Sequence, residues 1–470
     1  MDRPLKLGIV ALSVSSIALA VLPHPARGAL PARHGGQITI PAPEPITELD
    51  PARVETHFQA TLAEVVYDNL YEVREDGRID AVLAEGPPEV TGTTARVRIR
   101  AGARRHGGRE VLARHVVRSL TRATSSPTAS WLLGSFAVEN GRPMITEVDA
   151  RTIDIELARR GVRVDLLLAA TPLAIVIGGN LRSRPLGTGP FFARLDGRGG
   201  VRLSIFRHAA DRAPWLNGVV FTPPQARDEE IRALELGRVD AAWRGSSLYG
   251  GAPVRPVTTT RATATTPWIL VPNRARTLRD GAAWGGVIAS IDRGRLARVG
   301  LVPRRILAPG LPAPQLPTGS APPGTSLRMV VREHRELELR VAESIAGMLD
   351  EHGIRLQVER VSAARYPAEV SRGQWDLRLA SVRPPLPGRG PMVGAALASA
   401  GQLDRARAFA AQMWQPEVAN QSARELDVMV LGHERVELHH RADLRGLRVD
   451  SLGRLTLADA SFARREEPFR

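Results

Sequence analysis

Two periods organise the apolar positions of this 470-residue chain. Period two marks short strands: Ile38-Thr39-Ile40 after two glycines, Val97 and Ile99 among arginines, Ile153, Ile155 and Leu157, then Val201, Leu203 and Ile205. Such alternation turns one face of a strand to a core and the other to water. A period near 3.6 puts Leu62, Val65, Val66 and Leu70 on one face of a helix, and "LARHVVRSLTRAT" has the same pattern. The apolar runs "NGVVFTP" and "TPWILVPN" predict buried strands. From Ser326 the pattern runs strand, helix, strand, helix, strand through "SLRMVV", "ELRVAESIAGMLDEHG", "IRLQVERV", "YPAEVSRG" and "WDLRLASV". That order predicts parallel pairing, because parallel neighbours need crossover connections. A helical section around Leu403 to Trp414 follows, and the proline- and glycine-rich stretch from Ala308 to Gly324 reads as a surface connector.

The length predicts two or three domains. With 43% hydrophobic and 24% charged residues the chain reads as globular. The net charge is +15, and Lys6 is the only lysine, so the basic charge is arginine. These arginines are scattered and alternate with carboxylates, and aromatics make up only 4%. A nucleic-acid platform needs clustered cations interleaved with stacking rings, so no nucleic-acid partner is expected. Cysteine is absent, which excludes disulfides, thiolate metal sites, a cysteine nucleophile and a cysteine-linked lipid anchor. At the N-terminus, Arg3 and Lys6 precede an apolar run from Leu7 to Leu22, and Ala26-Arg27-Gly28 supplies small residues before a cut. The run is shorter than the roughly 20 residues of a spanning helix. It predicts a signal peptide over residues 1–28 and an exported, periplasmic chain.

"PLGTGPFF", Pro185 to Phe192, has the look of a phosphate cradle. A Walker loop ends in lysine and Ser/Thr before a helix, however, and here Pro190, Phe191 and Phe192 follow. Pro190 also lacks the N–H a phosphate would need. In "HERVELHH", His433, Glu434, His439 and His440 do not form His-Glu-x-x-His, and surface histidines are expected instead of a metal site. Ser246 and Ser247 sit in no Gly-x-Ser-x-Gly elbow. No catalytic set, metal or cofactor is expected.

The order of pieces is more specific. "GGQITIPAPEPITELDPA", "LAEVVYDNLYEVREDGRIDAVLAE", "ARVRIRAGARRHGGREVLARHVVRSLTR", "PLGTGPF", "APWLNGVVF", "ALELGRVDAAW", "GGVIASIDRGRLA" and "RGLRVDSLGRLTLADASF" follow one another. In sequence and order they resemble the solute-binding proteins of peptide and nickel ABC transporters, the bacterial extracellular solute-binding family 5. The resemblance covers about residues 35 to 463. It implies an α/β, two-lobed periplasmic-binding-protein (flytrap) fold of type II, with an extra subdomain inserted in the first lobe. The first lobe would comprise 35–71, 181–262 and 430–463, the subdomain 72–180, and the second lobe 263–429. "PLGTGPFF" would be the return from the subdomain.

The resemblance also implies a non-catalytic, monomeric protein that delivers a small or peptide-like solute to a membrane permease. A degenerate sensor or scaffold is the alternative. One wall of the site would be Glu55, Thr56, His57 and Phe58. The other would be Ser381, Val382 and Arg383, with Trp268 on the hinge strand. Family members often carry Gly-Trp-x-x-Asp on that second wall, the Asp pairing a ligand ammonium. Here the acidic position falls on Pro385, so the resemblance gives no partner for an ammonium, and Arg383 becomes a candidate for an anion.

Overall fold

A computed structural model describes residues 32–126, 128–207, 213–248, 252–262 and 266–463. The expected signal peptide lies outside the described residues. Among those described, no helix is long and apolar enough to cross a membrane.

The first lobe is built on a four-stranded sheet in the order Phe191–Leu195, Val201–Ile205, Gly218–Thr222 and Gln37–Pro41. Its first two pairings are antiparallel, and Gln37–Pro41 joins parallel to Gly218–Thr222. The helix His57–Val66 covers it through Phe58, Leu62, Val65 and Val66, which share a buried cluster with Ile38, Ile40, Phe191, Leu203 and Phe221. A three-stranded sheet, Ala241–Ala242, Glu437–Arg441 and Val257–Arg261, adjoins it.

The second lobe holds a six-stranded sheet in the order Leu301–Val302, Met429–Glu434, Thr266–Pro272, Leu377–Ser381, Ser326–Arg332 and Arg355–Val361. Ser326–Arg332 pairs parallel with Arg355–Val361, and the helix Glu336–Asp350 makes the crossover, as the sequence order predicts. The chain crosses between lobes twice. One crossing precedes Thr266; the other is Arg435-Val436, between the strands Met429–Glu434 and Glu437–Arg441. The expected first-lobe boundary at 430 therefore falls inside a second-lobe strand.

The inserted segment forms a sheet of Glu89–Thr91, Thr94–Arg98, Thr152–Glu156 and Ile145–Asp149, with the helix Ala113–Thr124 against it. It is tied to the first lobe by Arg122, whose two terminal nitrogens reach the buried Asp50 carboxylate at 2.7 and 3.0 Å. It is also tied to the second lobe. The turn Ser130–Ser135 packs on the helix Leu403–Ala410, and Trp131, Leu132, Val393, Phe409 and Ala410 lie in one buried cluster.

The glycines of "PLGTGPFF" serve close approach. A Cβ on Gly187 would fall 2.1 Å from the Val66 carbonyl oxygen, and one on Gly189 would fall 2.7 Å from that of Val65. The Thr188 hydroxyl accepts from the Asp68 N–H. Buried His106 accepts from the Gly187 N–H through Nδ1 and donates from Nε2 to the Gly189 carbonyl, between the rings of Phe192 and Phe206. The loop's polar groups are thus spent on its own chain. Neither Gly187 nor Gly189 has a positive φ, so it is the close approach that requires glycine here.

Candidate binding site

Thr56 caps the helix His57–Val66 by accepting from the Gln59 N–H at 3.1 Å. Gln59 in turn accepts from the Glu55 N–H at 2.7 Å, so Glu55 is held just outside the helix start. This is a reciprocal cap of Thr-x-x-Gln type, displaced by one residue on the return bond. The Thr56 hydroxyl donates to the Glu44 carboxylate. Burial raises the Glu44 carboxyl above its ordinary range, opposed by Arg335, the Thr56 hydroxyl and Arg383.

His57 is a tie between elements. Its Nδ1 donates to the Leu452 carbonyl at 3.2 Å, which leaves Nε2 to accept from the Thr266 hydroxyl at 2.8 Å. Burial, and then the charge of Arg383, hold its pKa well below the ordinary histidine value, so the ring is neutral. Phe58 is a core residue edge-on to Phe221, with ring centroids 4.8 Å apart, and touches the cleft only at its border.

On the facing wall, Trp268 and Ser381 are cross-strand partners. The Trp268 ring is almost buried and its Nε1 donates to the Glu434 carboxylate at 3.0 Å. Ser381 and Arg383 both line the cleft. Val382 between them is fully buried in the cluster that the second lobe shares with the inserted subdomain and lines none of the cleft's chambers, because successive side chains alternate across the strand direction. Arg383 Nε donates to the Glu55 carbonyl across the cleft at 2.6 Å. Burial pushes its pKa down to about 10, with Glu434 opposing, and it remains a cation at neutral pH. Pro385, where the ammonium-binding carboxylate was sought, is buried, and its carbonyl accepts from the Thr171 N–H of the inserted subdomain at 3.0 Å.

Sequence reasoning missed Arg332, which ends the strand Ser326–Arg332, and Arg335 just beyond it; their side chains are only 11% and 12% exposed. Both reach the Glu55 carboxylate, at 3.0 and 2.9 Å. Arg332 also pairs with fully buried Glu338 and lies over the Tyr366 ring. These contacts divide the interlobe space into chambers of about 450, 420 and 430 Å³, all bordered by Arg335. In a chain whose basic residues are nearly all arginine, no local signal distinguishes these two.

The histidines behave differently from expectation. His433 and His440 are buried, not on the surface: His433 donates to the Ile306 carbonyl and His440 meets the Thr260 hydroxyl. Their neighbours are backbone and hydroxyl groups, and no group of three potential metal ligands occurs among the described residues.

No protein-family model matches the chain. A stretch of 163 residues, 33% of this chain, is 28% identical to the HTH-type transcriptional regulator SgrR of Salmonella choleraesuis. The same figure holds for the regulator of Salmonella typhimurium. The match spans 26% of those regulators, about a quarter of their length. Solved structures match over nearly the whole chain. The dipeptide binding protein of Pseudoalteromonas sp. SM9913, in complex with Met-Leu, has a TM-score of 0.74 and 14% identity, covering 91% of this chain and 100% of that one. The periplasmic binding protein DppA of Helicobacter pylori, in complex with peptide STSA, has a TM-score of 0.74 and 14% identity, covering 92% and 99%. NikA of Staphylococcus aureus, in complex with Ni(L-His)2, has a TM-score of 0.72 and 13% identity, covering 91% and 100%. The chain has the mixed α/β, two-lobed fold of these solute-binding proteins.

Proposed function

We infer that this chain is an exported, non-catalytic solute-binding protein. It would take a peptide-like or other small polar solute into the cleft between its lobes and deliver it to the permease of an ABC importer. The observation that carries this reading is the cleft itself. The segment Glu55 to Phe58 of one lobe faces Ser381 and Arg383 of the other across a space of solute size. Pockets of a few hundred Å³ with a small number of polar groups are the usual form of small-molecule sites. The ligands named for the similar structures, a dipeptide, a tetrapeptide and a nickel–histidine complex, support a small polar solute. The proline at residue 385 argues against recognition of a free ammonium by a carboxylate at that point.

The test is affinity selection from a metabolite extract followed by mass spectrometry. The reading expects one small solute, bound one per chain and recovered unchanged. Recovery of a converted product would favour catalysis, and no enrichment of any solute would count against binding.

A sensor or scaffold is the second reading. Its support is the buried contact between the inserted subdomain and the second lobe, which resists lobe opening, and the partial match to a transcriptional regulator. Co-purification with a permease favours the importer; its absence, with a signalling protein in its place, favours the sensor.

A further inference from the structure

The pairing of Glu55 with the second-lobe arginines is incomplete in a way that points to a ligand. Elsewhere in the chain a side-on pair uses both Nε and Nη2: Arg96 holds Asp154 with each at 2.8 Å. Arg332 sets Nε and Nη2 against one oxygen of Glu338 and gives Nη1 to Glu55. Arg335 gives Glu55 its Nη2 alone, and its Nε is buried with no hydrogen-bond partner among the described residues. A buried guanidinium N–H without an acceptor is costly, and an oxyanion presenting two oxygens side-on would satisfy it.

The charges point the same way. Two nearly buried guanidiniums pair with Glu338 from their own lobe and with Glu55 from the other, and Arg335 also acts on the buried Glu44 carboxyl. The Glu55 side chain is the movable member: its backbone is held by Gln59 and Arg383, but the side chain is 47% exposed. When it withdraws, Arg332 and Arg335 lose the carboxylate that bonds both of them in a poorly solvated wall, an unfavourable state.

We propose that the solute of this cleft carries an oxyanion, which replaces the Glu55 carboxylate on Arg332 and Arg335. The proposal rests on the cleft being the binding site. Glu55 acts as an internal stand-in that keeps the arginine pair neutralised and is displaced on binding. A carboxylate and a phosphate group share the required chemistry, and the test separates them.

Titration calorimetry at constant ionic strength, with sodium acetate and inorganic phosphate as probes, compares wild type, Glu55→Gln and the double variant Glu55→Gln/Arg335→Gln. Glu55→Gln is expected to take one anion per chain at least about tenfold more tightly than wild type, the scale of one charge-assisted hydrogen bond. The double variant should lose that gain. Preference for acetate assigns a carboxylate to the solute, and preference for phosphate assigns a phosphate. If Glu55→Gln does not fold, Glu55→Asp, which retracts the carboxylate by one methylene, should show a smaller gain in the same direction. Equal anion binding by wild type and folded Glu55→Gln overturns the proposal, as does a gain that survives in the double variant. A captured solute that is neutral or cationic also overturns it, while leaving the binding reading intact.

Discussion

The Trp131 ring lies directly against Gly394: a Cβ on residue 394 would fall 2.4 Å from it. Trp131 belongs to the inserted subdomain and Gly394 to a second-lobe helix, Arg389–Ser399. Nearby, a Cβ on Gly134 would fall 1.9 Å from the Arg407 carbonyl oxygen. Two such approaches make this a fitted contact between the inserted subdomain and the second lobe. Gly394→Val should push the ring out and cost about 1–3 kcal/mol, as overpacking does. Trp131→Ala should cost about 3–5 kcal/mol. Urea denaturation measures both, and small-angle scattering should show a larger radius of gyration for Gly394→Val. An unchanged midpoint in both variants would remove the contact from the account.

His106 predicts a pH dependence. Its pKa is lowered to about 4 by burial, opposed by its bond to the Gly189 carbonyl. In the unfolded chain it returns to about 6.5. Between those values the unfolded state binds the proton and the folded state does not, so stability rises with pH across that window. Its contribution is complete above about pH 6.5 and falls away as pH drops toward 4, by roughly 3 kcal/mol at about 1.36 kcal/mol per unit. His106→Gln should lower stability at pH 7.5 and flatten the loss on acidification between pH 6.5 and 4. Parallel stability–pH curves for variant and wild type would contradict this.

Much of the scaffold was legible because its signals are local. Alternation located Val201–Ile205 and Thr152–Glu156, and the strand–helix–strand order predicted the parallel pair Ser326–Arg332 and Arg355–Val361. Motif order placed the two expected walls, and the structure brings one residue of each together: Arg383 Nε donates to the Glu55 carbonyl. What escaped depends on distant partners. Arg332 and Arg335 look like any other arginine until Glu55, some 277 positions away, is brought against them. Val382 was expected in the site, but strand alternation gives the cleft to Ser381 and Arg383 instead. The burial of His433 and His440 follows from sheet packing that the pattern "HERVELHH" does not encode.

Asp50 and Arg122 join the first lobe to the inserted subdomain. The Asp50 side chain is 5% exposed and also accepts from the Ala52 N–H, so little of it meets solvent. Arg122→Ala should cost about 3–5 kcal/mol, because it leaves a buried carboxylate unpaired. The double variant Asp50→Ala/Arg122→Ala should be less destabilised than the sum of the two single changes. A double-mutant cycle in urea with additive values would show that the pair is not coupled.

Ser381 borders both the 420 and the 430 Å³ chambers and is the cross-strand partner of Trp268. An indole there fills space that a solute in either chamber would occupy. The central claim, that the interlobe cleft is a solute site, is therefore tested most directly by calorimetry of the captured solute on wild type and Ser381→Trp. Binding at least about a hundredfold weaker in a variant of wild-type fold, nearly 3 kcal/mol, is the result the cleft predicts. Unchanged affinity in folded Ser381→Trp would place the solute elsewhere and contradict it.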